Sequence, residues 1–243
     1  MPDYSIPEYW ESRFHKETRF EWLGSGDIIL PYAARAFSQA PNANDICDQT
    51  IQNTRIPTPT KILHIGSGTS HLSLQLRSLV PTRIINIDFI QSCLTLLRQS
   101  ELNAFGDIKM EYKQLDMLDW EQIEGQLLRP QGEETALIID KSTSDAISCG
   151  PDKASPFSLL PIPPVRILAL HLAALSAPGS IWLTLSYSNS RFDDIGELWE
   201  VEHTKRLLVE SGQTKVGVWE PDIWHMLYVL RRTNARVPGL IQD

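Results

Sequence analysis

Short apolar segments alternate with helical patterns from Lys61 onward, and this alternation constrains the fold more than any other feature of the sequence. Five segments have the character of strands: KILHIG, RIINIDF, MEYKQLDM, TALIIDK and SIWLTLSY. Leucines at helical spacing fill residues 67–80 and 90–102, and an apolar helix is predicted over 165–177. Buried parallel strands are continuously apolar and are joined by helical crossovers, so the pattern predicts an α/β fold with a mostly parallel sheet.

The two ends of the chain are less regular. We predict helices over residues 8–18 and 26–39, and we read the Asn-, Pro- and Thr-rich residues 40–60 as a long surface connection. Residues 149–164 are predicted to form a proline-rich loop. A helix is expected around 197–211, followed by the segments VGVWEP and WHMLYVLRR, which we pair as an antiparallel hairpin. Too little chain precedes residue 40 for a separate core, so the 243 residues are predicted to form a single domain.

Charge and cysteine content exclude several classes of protein. Lysine and arginine number 22 against 30 acidic residues, a net charge of −8, which argues against a dedicated nucleic-acid or anionic-membrane binder. Three cysteines without a CxxC pair encode neither a disulfide framework nor a zinc site, so no metal is expected. The N-terminal residues have no apolar signal region, and no apolar run approaches the ~20 residues of a membrane span. We therefore expect a cytoplasmic protein.

Polar residues and glycines gather where the predicted strands end. Gly66 and Gly68 follow the first strand, where they allow a tight turn and a close approach of the backbone to a ligand. Asp88 ends the second strand, 20 residues after Gly68, the spacing expected of a carboxylate that holds a ribose diol. Asp116 and Met117 end the third, where a carboxylate can accept from an adenine amino group and a thioether can pack on a purine. Carboxyl ends of parallel strands form ligand sites, so these ends predict a nucleoside-containing ligand.

The glycine pattern distinguishes between such ligands. A dinucleotide fingerprint requires GxGxxG, and His71 stands where the third glycine would allow close helix packing. S-adenosylmethionine carries no phosphate and needs only a diol acceptor, an adenine slot and a clamp for its amino-acid end. The sequence therefore favours S-adenosylmethionine over a dinucleotide.

A set of motifs in order along the chain resembles a known family. EYWESRF, FEWLG, ILHIGSGTSHLS, IINIDF, LDMLDW and IIDKSTSDAI are similar to the motifs of methyltransferase-like proteins that modify lysines of translation elongation factor 1 alpha. The resemblance covers residues 8–148 well and the remainder loosely. It implies a Rossmann-like class I methyltransferase core with seven strands, of which the last is antiparallel, over about residues 61–232. This chain has GSGTS and KSTSDAI where the family has GCGNS and KGTLDAL. The substrate of this chain can therefore differ from that of the family.

The resemblance also implies a role for individual residues at the N-terminal side of the site. Trp10 and Phe14, on the first helix, would cover the cofactor together with Trp22, so residues 1–39 would form a cap. Gly66 would lie under the methionine part of the cofactor. Apart from the resemblance, the guanidinium of Arg13 is a candidate partner for the cofactor carboxylate. A surface salt bridge is an equally good explanation for an arginine at this position.

Further roles are implied along the strand ends. Asp88 would hold the ribose, with Phe89 beside the adenine. Asp116 and Met117 would frame the adenine, and Lys141 would lie near the methionine end or the sulfonium.

Three functions from different classes remain open at this point. The first is methylation of a lysine on a basic protein such as an elongation factor. The second is O-, N- or S-methylation of a small molecule, and the third is non-catalytic binding of S-adenosylmethionine. No dedicated base can be identified: Asp140 and Asp145 are candidates, although Asp145 equally well caps the next helix. His225 is the histidine to test first, and Trp199, Trp219 and Trp224 are candidates for a substrate cleft or for the core.

Overall fold

The computed structural model describes residues 3–17, 21–37, 61–80, 82–128, 135–210, 214–215, 218–219 and 222–239. The helices are α1 (Pro7–Phe14), α2 (Leu30–Phe37), α3 (Leu72–Leu79), α4 (Gln91–Phe105), α5 (Trp120–Leu127), α6 (Thr143–Ile147) and α7 (Pro164–Ala174). The first seven strands are β1 (Lys61–Ile65), β2 (Ile84–Asp88), β3 (Glu111–Gln114), β4 (Thr135–Lys141), β5 (Lys153–Ser155), β6 (Ser158–Ile162) and β7 (Ser176–Ser186). The C-terminal strands are β8 (Trp199–Glu210), β9 (Thr214–Lys215), β10 (Val218–Trp219) and β11 (Ile223–Arg232).

Seven of these strands form one sheet in the order β3-β2-β1-β4-β7-β11-β8. The pairs from β3 to β7 are parallel, whereas β11 runs antiparallel to both of its neighbours, β7 and β8. This arrangement confirms the predicted α/β class, with a mostly parallel sheet and an antiparallel C-terminal strand.

The apolar strand segments of the sequence correspond to strands that are covered on both faces. Every residue of β1, β2 and β4 is buried, which explains why these strands carry continuous rather than alternating apolar residues. One apolar cluster joins the sheet to α5 and α7 and includes Trp182. A second cluster, on α2 and α3, includes Ile29 and Leu72. Helices on both faces therefore hold the strand ends in fixed positions.

The prediction of a helix around residues 197–211 is wrong. These residues form β8, which pairs with β11 from Trp199↔Arg232 to Glu210↔Ile223. The segment is rich in Glu, Lys, Arg and Leu, all good helix formers, but pairing with β11 overrides that preference. Val201 and Leu208 remain exposed because β8 is an edge strand.

The predicted hairpin between VGVWEP and WHMLYVLRR is also wrong. Val218–Trp219 pairs with Thr214–Lys215 in a separate two-stranded ribbon, and β11 takes β7 and β8 as partners instead. Ladder partners in a sheet are set by tertiary packing, and β7 lies far from β11 in sequence.

The proline-rich segment 149–164 is not a simple loop. It contains the antiparallel hairpin β5–β6, and Phe157 at its turn packs edge-on against Trp120 with ring centroids 4.9 Å apart. The N-terminal helices are shorter than predicted, at Pro7–Phe14 and Leu30–Phe37. The predicted connection 40–60 lies outside the described residues.

Candidate functional site

A cleft opens at the carboxyl ends of β1, β2, β3 and β4 and is covered by N-terminal residues. It encloses about 1120 Å³, counting the space open to solvent. All ten residues predicted from the sequence line this cleft: Trp10, Phe14, Trp22, Gly66, Gly68, Asp88, Phe89, Asp116, Met117 and Lys141. The structure thus brings together side chains that are up to 131 residues apart, from Trp10 to Lys141.

The turn after β1 depends on its two glycines. Gly66 has φ +54°, and a Cβ there would lie 2.0 Å from Oγ1 of Thr143, whose hydroxyl donates to the Ile65 carbonyl at 3.0 Å. Gly68 has φ +51° and faces the ring of Phe14, 3.3 Å from the position of a Cβ. Glycine is therefore required here both by the left-handed backbone and by the close approach of neighbouring side chains.

Asp88 closes this turn from β2. Its carboxylate accepts from the Gly68 N–H at 2.9 Å and from the Ile90 N–H at 3.0 Å. Burial raises the pKa of Asp88 to about 6, against the opposing effect of these N–H donors. Asp88 is therefore mostly ionised at neutral pH and keeps free lone pairs for a ligand hydroxyl.

The turn after β3 is fixed from two sides. Asp116 accepts from the Leu118 N–H at 2.8 Å, and the side-chain oxygen of Gln122 accepts from the Asp116 N–H at 3.1 Å. Nδ1 of His171 lies 2.8 Å from the Met117 carbonyl oxygen. Burial lowers the pKa of His171, so the imidazole is neutral and donates through Nδ1 to this carbonyl. Met117 is thereby held at the wall of the cleft.

Lys141, at the end of β4, anchors a short segment of the cover that we call the strap, residues 21–24. Its ammonium donates to a carboxylate oxygen of Glu21 at 2.5 Å and to the carbonyls of Trp22 and Gly24 at 3.0 and 3.1 Å. Leu23, in the middle of the strap, is buried and has φ +59°, an unusual conformation for a residue with a side chain. The strap places the Trp22 ring in the cleft.

Glu21 also contacts the start of α3. Its two carboxylate oxygens accept from the Ser70 hydroxyl at 2.9 Å and from the His71 N–H at 3.2 Å. Burial alone would raise the pKa of Glu21, but hydrogen bonding and attraction by Lys141 outweigh this and lower it. Burial lowers the pKa of Lys141, and Glu21 opposes that effect. The two side chains form a mostly buried ion pair with additional hydrogen bonds, the condition under which such pairs stabilise a fold.

Aromatic rings from the N-terminal residues form the cover of the cleft. The centroid of Trp22 lies 5.3 Å from Tyr4 and 5.5 Å from Trp10, both nearly edge-on. Trp10 also lies 5.8 Å from Phe14 and donates through Nε1 to the Tyr4 carbonyl at 2.8 Å. These aromatic contacts exclude water from the cleft.

Arg13 lies on the outer side of this cover. Its guanidinium donates to the Tyr9 hydroxyl at 2.6 Å and to Glu17 at 3.2 Å, and its centre lies 5.2 Å from the Trp22 ring. The surface salt bridge considered from the sequence is present.

The two aspartates considered as bases have other partners. Asp140 accepts from the Thr143 N–H at 2.7 Å and the Ser144 N–H at 3.3 Å, so Asp140 rather than Asp145 caps α6. Asp145 accepts from the Ser186 hydroxyl at 2.6 Å and the Tyr187 N–H at 2.9 Å, and it pairs with Arg191. The reading of Asp145 as a helix cap is therefore wrong. Asp145 holds the end of β7 instead.

The remaining candidates divide between core and surface. Trp199 is buried and donates to the Ala169 carbonyl at 2.8 Å, whereas Trp224 lies under the Arg206 guanidinium. The side chain of Trp219 lies outside the described residues. His225 is buried beside Tyr187, with ring centroids 4.8 Å apart. Within the described part of the chain, no cluster of three or more His, Cys, Asp or Glu could hold a metal ion, and no helix is long and apolar enough to cross a membrane.

The sequence does not single out three residues in or beside this site. Glu21 and Tyr4 were not singled out, although Glu21 lies within the FEWLG motif. Tyr187 closes the fifth predicted strand, and its neighbours Asp145 and His225 are each about 40 residues away. Position at a strand end was the available signal for Tyr187.

The chain is similar to a curated protein over most of its length. No protein-family model matches the chain. The curated protein methyltransferase srdJ of Neurospora crassa is 30% identical over 231 residues, which cover 95% of this chain and 85% of srdJ.

Two solved structures share the fold at lower identity. One, described under the conversion of a disulfide bond into a thioacetal group during echinomycin biosynthesis, has a TM-score of 0.60 at 16% identity and covers 95% of this chain and 94% of its own. The other, an S-adenosylmethionine-dependent methyltransferase of Anabaena variabilis, has a TM-score of 0.58 at 11% identity, with 93% and 92% covered.

Proposed function

The chain belongs to the methyltransferase family that includes srdJ and uses S-adenosylmethionine as its cofactor, and from this premise we propose that it methylates a small molecule. The observation that carries the proposal is the distribution of charge along the cleft. Of the described lining residues, the carboxylates Asp88 and Asp116 lie at the ends of β2 and β3, whereas the cations are Lys141, at the end of β4, and Lys153, on β5.

The residues of the cleft fit an adenosyl ligand in one direction. We propose that Asp116 and Met117 frame the adenine with Phe89, that Asp88 holds the ribose, and that Gly66 and Gly68 lie under the methionine part. Gly66 and Gly68 support this fit because they line the cleft without side chains, which leaves their backbone accessible to the ligand. In sheet order β3, β2, β1 and β4 follow one another, so the methyl group would point toward the β4 side.

The N-terminal residues complete this assignment. We propose that residues 1–39 act as a cap over the cofactor and that residues 61–232 form the methyltransferase core of a single domain. Trp10, Phe14 and Trp22 support the proposal because their rings line the cleft and pack on one another. Lys141 serves this cap through the strap rather than through the sulfonium.

Lysine methylation is disfavoured because the described cleft lining after β4 contains no acidic side chain. A lysine acceptor arrives as a cation and must lose a proton, and acidic oxygens near the methyl group would assist both steps. The described lining instead contains Ala146 and Ile147 after β4, Lys141 in its ion pair with Glu21, and Lys153 on β5. An uncharged or anionic acceptor fits this surface better.

Methyl transfer requires the protein mainly to position the acceptor atom and to exclude water. When bound, S-adenosylmethionine supplies an activated methyl group for an in-line displacement. The chain holds the acceptor atom in line, and its aromatic cover excludes water from the cleft.

Methylation of a protein lysine remains the second candidate. The motif resemblance to proteins that modify lysines of translation elongation factor 1 alpha and the net charge of −8 favour it. A basic protein partner would then bind outside the cleft. Non-catalytic binding is the third reading.

The test is transfer of a radiolabelled methyl group from S-adenosylmethionine in cell extract. We expect the label in solvent-extractable products, and Asp88→Asn as a control should reduce it by weakening cofactor binding. Label in acid-precipitable protein would instead support lysine methylation. Absence of label despite calorimetric binding of S-adenosylhomocysteine would support the non-catalytic reading.

A further inference from the structure

The ends of β7 and β11 lie just beyond the proposed methyl position, and they carry residues that the cofactor does not need. In sheet order β7 and β11 follow β4, so an acceptor that approaches from the side opposite the cofactor meets these ends. Ser142, which lines the cleft, donates from its backbone to the Leu185 carbonyl at 3.0 Å, two residues before Tyr187. The end of β7 is therefore continuous with the cleft.

Tyr187 has an exposed ring that is nevertheless held in place. Asp145 accepts from its N–H at 2.9 Å and from the neighbouring Ser186 hydroxyl at 2.6 Å, and Arg191 donates to the same carboxylate at 2.9 Å. These contacts fix the backbone, while 53% of Tyr187 remains accessible. A fixed backbone with an exposed aromatic ring is suited to contact with a ligand.

His225 supports the ring from below. It is only 2% exposed, and its ring meets that of Tyr187 edge-on at 85°. Neither ring nitrogen makes a hydrogen bond of normal geometry with any described residue. Burial lowers the pKa of His225, so the imidazole is neutral and serves as an aromatic support.

The cover supplies a second phenol, that of Tyr4, to the cleft. Burial is the main cause that raises the pKa of Tyr187, and the nearby charge of Asp145 and the phenol of Tyr4 add to it. Tyr4 lines the cleft from the other side. Tyr4 and Ile147 line the cleft, and Tyr187 directly follows β7, whose Leu185 carbonyl accepts from the cleft residue Ser142. The described lining after β4 contains no carboxylate.

We propose that Tyr187 contacts the methyl acceptor and selects a planar, uncharged or anionic molecule, and that Asp145 and His225 are positioning residues for Tyr187. This inference rests on the proposed small-molecule methyltransferase function. Tyr187 lies against the acceptor ring, and its hydroxyl hydrogen-bonds a polar substituent.

The test uses the full chain saturated with S-adenosylhomocysteine and titrated with 4-methylumbelliferone, a planar phenol, in a fluorescence binding assay. Tyr187→Ala should weaken binding of this probe by about tenfold, and Tyr187→Phe by a smaller factor, because the ring contact is kept. Tyr32→Phe, on α2 away from the cleft lining, is the matched control and should change nothing. N-acetyl-lysine amide as a cationic probe should not bind.

Positioning by His225 has its own readout. His225→Ala should weaken probe binding several-fold, and His225→Phe should restore it, since phenylalanine keeps the edge contact with Tyr187. Equal loss in both variants would overturn the supporting role of the ring. For Asp145, the tyrosinate absorbance that disappears in Tyr187→Phe should titrate at lower pH in Asp145→Asn, and an unchanged titration would overturn its role.

Two failures are distinguishable in this design. If S-adenosylhomocysteine does not bind, the proposed function itself fails. If it binds but 4-methylumbelliferone does not bind to the wild-type protein, or binds equally well to Tyr187→Ala, only the acceptor inference is overturned.

Discussion

The two halves of the cleft differ in how they are built. The half that we assign to the cofactor consists of backbone turns after β1, β2 and β3, and its side chains bind back to the main chain, as Asp88 does to Gly68 and Ile90. The half that we assign to the acceptor consists of exposed or loosely satisfied side chains, such as Tyr187 and His225, at the ends of β7 and β11.

This difference reflects what each half has to recognise. A cofactor of fixed shape can be held by rigid turns whose geometry depends on glycines and on one carboxylate. An acceptor is recognised by side chains that can change without disturbing those turns. The cofactor half should therefore respond to substitution with loss of both stability and affinity, and the acceptor half with loss of acceptor affinity alone.

The largest effect is expected from Gly66→Ala, in the turn after β1 of the cofactor half. A left-handed φ costs about 1–2 kcal/mol for alanine, and the new Cβ would overlap Thr143. We expect the free energy of unfolding to fall by about 3 kcal/mol or more, measured by urea denaturation, with loss of S-adenosylhomocysteine binding. Gly106→Ala is the matched control, because Gly106 has φ +75° with no atom within 4 Å of a Cβ. A similar loss in both variants would exclude the contact with Thr143 as the cause.

Removal of the strap anchor should have the next largest effect. Lys141→Met leaves Glu21 without its buried partner, which costs roughly 3 kcal/mol of unfolding free energy. Cofactor affinity should fall as well, because the strap positions Trp22. In a double-mutant cycle, addition of Glu21→Gln should recover part of the loss. Additive losses would show that the ion pair does not couple the strap to β4.

Asp88→Ala should lower both stability and cofactor affinity, because its carboxylate also binds the Gly68 and Ile90 N–H groups. Loss of a charged acceptor for the ribose diol should weaken binding of S-adenosylhomocysteine roughly 10- to 100-fold, or ~1.5–3 kcal/mol, by calorimetry. Binding of 4-methylumbelliferone is then compared at saturating S-adenosylhomocysteine, where it should be unchanged. A loss of probe affinity there would mean that the two halves are not independent.

The smallest effect is the dependence of cofactor affinity on pH. The pKa of Asp88 is raised to about 6 by burial, and a diol donating to the carboxylate favours the ionised form. Affinity for S-adenosylhomocysteine should therefore be constant above about pH 7 and fall by at most tenfold per unit below about pH 6. Asp88→Asn should bind more weakly with a flat profile over that range, and a wild-type profile that rises on acidification would contradict the assignment of Asp88.

The sequence predicts the cofactor half well because its signals are local. Glycines after β1, a carboxylate 20 residues on and apolar strands that end in polar residues all lie within short windows. The partnership of Glu21 with Lys141 joins residues 120 positions apart and leaves no periodic trace. The sequence does not predict the strand β8 for a related reason, since its helix-forming residues take strand geometry only through pairing with β11.

The carboxylate of Glu21 at the start of α3 affects which adenosine-containing molecules can compete with the cofactor for the cleft. Helix starts next to glycine turns attract phosphate groups, and ATP and NAD share the adenosine portion that this cleft is proposed to bind. A protein carboxylate already satisfies the His71 N–H and Ser70 at that position, and it would repel a polyphosphate chain. We therefore expect the cleft to disfavour nucleotides that carry a polyphosphate chain, and the carboxylate responsible also holds the cover in place through Lys141.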